Sequence, residues 1–449
     1  MTYRPPANIL EVLQKIEYEE ALPAGDPRFV ETQEARGSER TFSRLARKFG
    51  WDPVSDAFFP PNEKHALFFG HIGSGKTTEL RRYAERLNAS RRYYVVEVDV
   101  LLKLDRNNLQ YSEALMAMAE TLLERLLGDG YALDDDALWP VREWFETAIT
   151  TRSTQREASA EIKAGAQAGG GLPGLVKLFA SFTAAVKTGA SQKDEWRQQI
   201  RNRFTTLAAA FSQLIRAAEA ELQAHGRAER VFFLVDGTDK MRGEDTRQFF
   251  VLDAEQLLAI QTLAIYTAPL HLKFGGLLGG KLDADMVLPM IKLHERDGSR
   301  CQAGWTALTR LLLLRADRCL FAADAEIEQL AEHSGGHPRE LLRLLRLCCE
   351  VADDLIDGAV VQRAIAQLAA DYRYFLRPSD YALLVAVDAN PAQGGNDEAA
   401  QDLLHRLALM QYNDGRWRRS HPVVRTLEGY QIAAAALPAA AVEPAVPPG

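Results

Sequence analysis

Ala66-Leu67-Phe68-Phe69-Gly70-His71-Ile72-Gly73-Ser74-Gly75-Lys76-Thr77-Thr78 is the stretch that decides the fold. Four apolar residues closed by a glycine read as a short buried strand. The continuation TTELRRYAERLN, from Thr77, reads as a helix. Between them, residues 70–77 fit G-x-x-x-x-G-K-[ST], the phosphate-binding loop. Its glycines let backbone N–H groups turn inward around phosphates, and the helix offers its positive end to the same anions. Gly70, His71, Ile72, Gly73, Ser74, Gly75, Lys76, Thr77 and Thr78 therefore form the expected nucleotide-binding set. Lys76 would reach the β- and γ-phosphates, and the Thr77 hydroxyl would ligate Mg²⁺. A glycine-rich turn that only caps a helix leaves Lys76 unexplained.

Further strands are expected at Tyr93–Val100, Val231–Val235 and Thr262–Thr267, and a fifth within residues 286–293, where Pro289 is an awkward occupant. Strands alternating with helical stretches indicate a parallel α/β sheet. The strand at 231–235 runs into Asp236, and such sheets bind ligands at the C-terminal ends of their strands. Asp236 is the expected second Mg²⁺ ligand. Asp239, three residues on, is placed to orient or deprotonate an attacking water, the alternative being a loop or helix-cap aspartate. Thr267, ending the fourth strand, could contact the γ-phosphate or the water; a hydroxyl bonding its own loop is the competing reading. ATP or ADP with Mg²⁺ is the cofactor set these residues imply.

About 160 residues separate Gly70 from Asp236, whereas one strand–helix–strand crossover needs roughly 30 or more. Most of the surplus, 102–228, reads as a helical insert. Within it, Leu175, Leu178, Phe179, Phe182 and Val186 share one helical face over 175–188. That face either packs on neighbouring helices or serves a partner or membrane surface. Beyond residue 296 four amphipathic segments follow, at 302–317, 323–334, 338–352 and 357–371. The turn Gly335-Gly336-His337-Pro338-Arg339 opens the third, with Pro338 at a helix start. Arg339 could swing onto the phosphates and favour the ATP state; otherwise it is an exposed arginine. Helices at 378–387 and 396–407, then a hairpin signal at Asn413-Asp414-Gly415, have the order of a winged helix. The division expected is an N-terminal linker or helical region (1–60), a core (61–296), a helical lid (297–371), a winged helix (372–432) and a disordered Ala/Pro-rich tail (433–449).

Composition narrows the function classes. The 449 residues are 47% hydrophobic and 25% charged, as in a multi-domain globular protein. Lys plus Arg number 53 against 61 Asp plus Glu, a net charge of −8, which disfavours non-specific nucleic-acid coating. The candidate recognition helix, Asp397–Met410, is itself acidic, whereas Arg416-Trp417-Arg418-Arg419 in the wing is basic, so nucleic acid stays as a secondary partner. No run of about 18 apolar residues appears, and the N-terminus lacks a signal-peptide apolar core. Cys301, Cys319, Cys348 and Cys349 show no CxxC spacing, and no HExxH is present. A reduced, cytoplasmic location is expected.

Taken together, the phosphate loop, the apolar strand ending in Asp236-Gly237-Thr238-Asp239, the Gly336-His337-Pro338 turn and the terminal winged-helix order resemble the STAND and AAA+ (ASCE) branches of P-loop ATPases. The resemblance covers about residues 61–432. It implies an α/β parallel-sheet core followed by a helical lid and a winged helix. It makes Arg339 a sensor-2-like arginine and Thr267 the sensor-1 position. STAND proteins are switches in which ADP holds a closed form and ATP opens it for assembly, and many bacterial relatives serve antiphage systems beside a separate effector. Self-association and a separate effector or regulatory protein are the partners implied. This chain departs from the pattern in two places: the arginine common after the fourth strand is missing, and the 102–228 insert has no counterpart. A DNA-binding initiator or transposition-helper ATPase is the alternative.

Overall fold

The structure is a computed structural model and describes residues 3–38, 40–103, 110–150, 171–188, 197–198, 200–241, 243–274, 278, 280, 282–393 and 397–436. Five parallel strands, β1 (Lys64–Gly70), β2 (Tyr93–Asp99), β3 (Arg230–Asp236), β4 (Leu263–Pro269) and β5 (Asp283–Val287), form one sheet in the order β2-β3-β4-β1-β5. Ala66, Leu67, Phe68 and Phe69 are fully buried, as an apolar run must be in a strand covered on both faces. The order interposes β4 between the phosphate-loop strand and the strand that ends in Asp236. This is an α/β P-loop NTPase architecture with a helical C-terminal region.

The fifth strand lies earlier than expected, at 283–287, and meets the expected 286–293 only at its start. Proline cannot donate to a ladder, and the chain around Pro289 uses its amides elsewhere. Leu288 N–H bonds Phe69 O at 2.8 Å, Met290 N–H bonds Gln411 O at 3.2 Å, and Lys292 N–H bonds Ala35 O at 2.9 Å. This stretch is therefore a junction between the sheet, the C-terminal hairpin and the N-terminal segment.

The insert supplies the helices Tyr111–Gly128, Asp135–Thr150, Gly171–Thr188 and Phe204–Ala224. Leu175, Leu178 and Phe179 are buried, so that part of the apolar face is packed and not presented to a partner or a membrane. The side chains of Phe182 and Val186 lie outside the described residues. No helix among the described residues is long and apolar enough to cross a membrane.

Four helices follow the sheet: Gln302–Leu313, Asp324–His333, Pro338–Val351 and Gly358–Arg373. Next come Pro378–Ala389 and Glu398–His405, then the antiparallel pair β6 (Leu409–Tyr412) and β7 (Trp417–Ser420). The second of these helices stops at His405, because Leu407 turns left-handed at φ 64°. Met410, expected at the end of a recognition helix, is thus a strand residue. The tight turn at 413–415 is present, with Asn413 and Gly415 at φ 46° and 89°. The helix Glu428–Ala436 continues into the stretch read as a tail, of which 437–449 lie outside the described residues.

Within residues 3–38 and 40–60, read as a linker or helical region, the chain packs on the rest of the protein. Ile9, Val12, Phe42 and Leu45 are buried, and Tyr3 Oη donates to Leu314 O at 2.6 Å. Asp317 N–H donates to Pro6 O at 2.7 Å, so the N-terminal segment is strapped to the helical region.

Candidate functional site

The site forms where β1 passes through residues 71–75 into the helix Lys76–Ala89. Gly73 and Gly75 take φ values of 85° and 96°, which a side chain rarely tolerates. Gly73 also has no room: an added Cβ would lie 2.8 Å from Arg339 Cδ and from His337 Cε1.

Lys76 is almost fully buried, and all three ammonium protons have acceptors. Its Nζ lies 2.9 Å from both Gly70 O and His71 O and 2.7 Å from Asp239 Oδ2. Both members of the Lys76–Asp239 pair are 4% exposed. Two further residues meet beside it, where Thr77 Oγ1 donates to Asp236 Oδ2 at 2.6 Å. Burial raises the Asp236 carboxyl above its ordinary range and the nearby Asp239 carboxylate adds to this, while the Thr77 hydroxyl, Gly237 N–H and Lys76 pull it back. A hydroxyl and a carboxylate so paired are the oxygen donors that a hard divalent cation takes. Ser74 Oγ is fully buried with no hydrogen-bond partner, an orphan of the kind a bound oxyanion would satisfy. The residues present thus fit a phosphate chain with Mg²⁺.

The loop's carbonyls are held from outside by side chains distant in sequence. His337 caps the helix Pro338–Val351 by accepting Glu340 N–H on Nδ1 at 3.2 Å, so the proton sits on Nε2, which donates to Ile72 O at 3.0 Å. Arg36, 2% exposed, donates to Ser74 O and Thr32 Oγ1 at 2.8 and 2.9 Å and also to Pro289 O. Thr78 Oγ1 accepts Leu22 N–H at 3.2 Å and tethers the N-terminal segment to the start of the helix.

Two adjoining cavities open here. One, of about 110 Å³, is lined by Tyr18, Glu19, Lys76, Thr77, Asp239 and Arg339 among others. The second, of about 90 Å³, is more apolar, with Tyr18, Leu22, Phe29, Val30, Leu311 and Leu342 on its walls. Arg339 spans both; its guanidinium is 3.7 Å from Glu19 and 3.9 Å from Glu340. Lys76, Thr77, Asp239 and Arg339 therefore line one cleft, with Asp236 bonded to Thr77 at its edge. Thr267 does not join them. It is fully buried, its carbonyl accepts Thr238 Oγ1 at 2.5 Å, and its own hydroxyl lies 3.3 Å from the same oxygen. Thr267 supports Thr238 in place of facing the cleft.

Sequence reasoning missed Tyr18, Arg36 and the His337 ring. His337 was within the quoted turn, and the cap signal of a polar residue before Pro338 could have found it. Nothing local distinguishes Arg36. The wing is also less available than its composition suggested: Trp417 and Arg418 are buried, Trp417 stacks on Tyr412 at 4.2 Å, and Arg419 donates to Arg296 O at 3.1 Å. Of these basic positions only Arg416 is exposed.

No protein-family model matches the chain, and no curated protein matches it. Among solved structures, the Walker-type ATPase of Pyrococcus abyssi is 12% identical, with 91% of this chain and 99% of that one covered, at a TM-score of 0.42. Cdc6p of Pyrobaculum aerophilum is 11% identical, covering 95% and 83%, at 0.37. A RuvB variant of Thermotoga maritima is 13% identical, covering 94% and 100%, at 0.36. Likeness at this level is distant, and the chemistry rests on the side chains described above.

Proposed function

We propose that the chain binds ATP and ADP with Mg²⁺ at residues 70–78 and hydrolyses ATP slowly, as a STAND/AAA+-like switch that couples nucleotide state to assembly or partner control. The convergence of Lys76, Thr77, Asp236 and Asp239 at the C-terminal edge of the sheet carries this reading. The loop would hold the phosphates, and the adjoining cavity offers apolar walls for the base. On binding, Lys76 Nζ exchanges Asp239 for a phosphate oxygen. The Asp239 carboxylate is then released to orient a water and accept its proton. Thr77 Oγ1 and Asp236 would hold Mg²⁺, which would neutralise phosphate charge. Arg339, only loosely paired with Glu19, adds a cation on the lid side that distinguishes triphosphate from diphosphate.

The resemblance to STAND proteins adds the rest of the proposal: self-association, a separate effector, and a place in antiphage defence. Nucleic-acid binding through the hairpin is the weaker reading, since Trp417 and Arg418 are used in packing. Calorimetry with ADP and with ATP tests the site, and no heat with either removes it. Asp239→Asn should retain nucleotide binding while phosphate release falls about 100-fold or more. Wild-type turnover in that variant would remove Asp239 as the base. Sizing with ADP against a non-hydrolysable ATP analogue tests the switch.

A further inference from the structure

The phosphate-loop reading employs the backbone of His71 but not its ring. That ring is buried, 3% exposed, and both nitrogens face the C-terminal module. Nδ1 is 3.2 Å from Leu404 O, and Nε2 accepts Gln411 N–H at 3.1 Å. A carbonyl can only accept, so the proton is on Nδ1 and the ring is neutral, which both contacts require. Burial, reinforced by the Lys76 charge, keeps the ring in that form by pushing its pKa down to about 3. Gln411 is docked through its backbone on both counts, since its carbonyl accepts Met290 N–H at 3.2 Å. The amide and carbonyl on the outer side of β6 thus close onto the loop and onto the chain beyond β5.

We propose that His71 is a positioning residue that links loading of the phosphate loop to docking of the β6–β7 hairpin, an inference that rests on the nucleotide reading above. The residue faces two ways. Its carbonyl receives Lys76 Nζ at 2.9 Å, while its ring clasps two backbone groups of the hairpin module. Docking of the hairpin fixes the ring, and with it the 70–71 peptide whose carbonyls face Lys76 Nζ, so a phosphate that takes up Lys76 meets a loop already held in shape. Coupling of this kind is reciprocal: a docked hairpin favours the loaded loop as much as a loaded loop favours docking. A residue that served packing alone would change stability and leave affinity untouched.

The test uses the full chain, ADP affinity by calorimetry, and amide hydrogen exchange over 409–412 with and without ADP. ADP should slow that exchange in the wild type. His71→Leu should weaken ADP about 10-fold and speed the exchange, whereas His71→Gln, whose Oε1 can accept Gln411 N–H, should stay within about 2-fold of wild type. Gln411→Pro removes the N–H directed at His71 from outside the cleft and costs no β6–β7 ladder bond, because the Gln411 N–H and C=O both face away from β7, and it should weaken ADP by a similar factor. It carries the test if His71→Leu fails to fold. Wild-type ADP affinity in both variants, with exchange accelerated, overturns the coupling while sparing the nucleotide site. No ADP binding by the wild type overturns both.

Discussion

The N-terminal segment and the lid both close on the phosphate loop, but by different means. Arg36 reaches it as a buried guanidinium with its donors on Ser74 O, Pro289 O and Thr32 Oγ1. Burial lowers the Arg36 pKa, with the Glu79 carboxylate nearby partly compensating. Arg339 reaches the same loop half-buried, and its nearest carboxylate among the described residues is 3.7 Å away. The first contact can only be structural, because releasing it would strand buried carbonyls. The second costs little to break and can be re-aimed. One element sets the shape of the loop, and the other is free to report what it holds.

The variant expected to act most strongly removes the anchor that both elements cover. Lys76→Ala should abolish nucleotide binding by calorimetry. It should also destabilise the fold by about 3–5 kcal/mol in denaturant titration, since Asp239 is left buried and unpaired. Replacing both, Lys76→Met with Asp239→Leu, should recover most of that stability but none of the binding. Arg36→Ala should cost about 3 kcal/mol, because two buried carbonyls lose charged donors. A loss below about 0.5 kcal/mol would erase the contrast with the lid.

Acid should sharpen the same contrast. Burial holds His65, His71, His271 and His421 at about 4, 3, 4 and 3, and His337 well below its usual value. The unfolded chain binds their protons near pH 6.5, so this stability is complete above that value and is lost as pH falls towards 4, by about 1.4 kcal/mol per unit for each histidine. Asp236 and Glu79, raised by burial, contribute with the opposite sign. Residues 1–60 contain no histidine. At pH 5, hydrogen exchange should therefore rise first around these histidines, in β1 and the phosphate loop as well as at the lid turn and the end of the hairpin, and later in the histidine-free N-terminal segment. The smallest expected effect is that of Arg339→Ala, within about 0.5 kcal/mol on stability, with ATP-dependent assembly lost. Destabilisation equal to that of Arg36→Ala would make Arg339 a second structural strut.

What could be read in advance was what is local. The glycines and Lys76 of the loop, the apolar run into Asp236 and the four lid helices each carry their signal within a dozen residues. Asp239 stood out by its spacing from Asp236, but its 2.7 Å pair with Lys76 joins residues from two strands' ends. Arg36 on Ser74 O and His71 on Gln411 N–H are contacts across much of the chain, and single-sequence patterning holds no trace of them. The fifth strand was misplaced because an apolar stretch looks the same whether its amides bond a ladder or three separate partners. Thr267 was assigned to the cleft by position along its strand, and only the Thr238 hydroxyl above it reveals otherwise.

The strand order has a consequence for biosynthesis. Both neighbours of β1 in the sheet, β4 and β5, lie far downstream, the nearer beginning at Leu263. As a chain emerges from a ribosome at roughly 5–20 residues per second, the strand leading to Lys76 waits on the order of 10–40 s for its flanks. The 66–69 run lacks both of its strand partners for all of that interval. Nascent chains should therefore depend on holding factors most strongly in that window, and shortening the insert should relieve the dependence without altering the finished site.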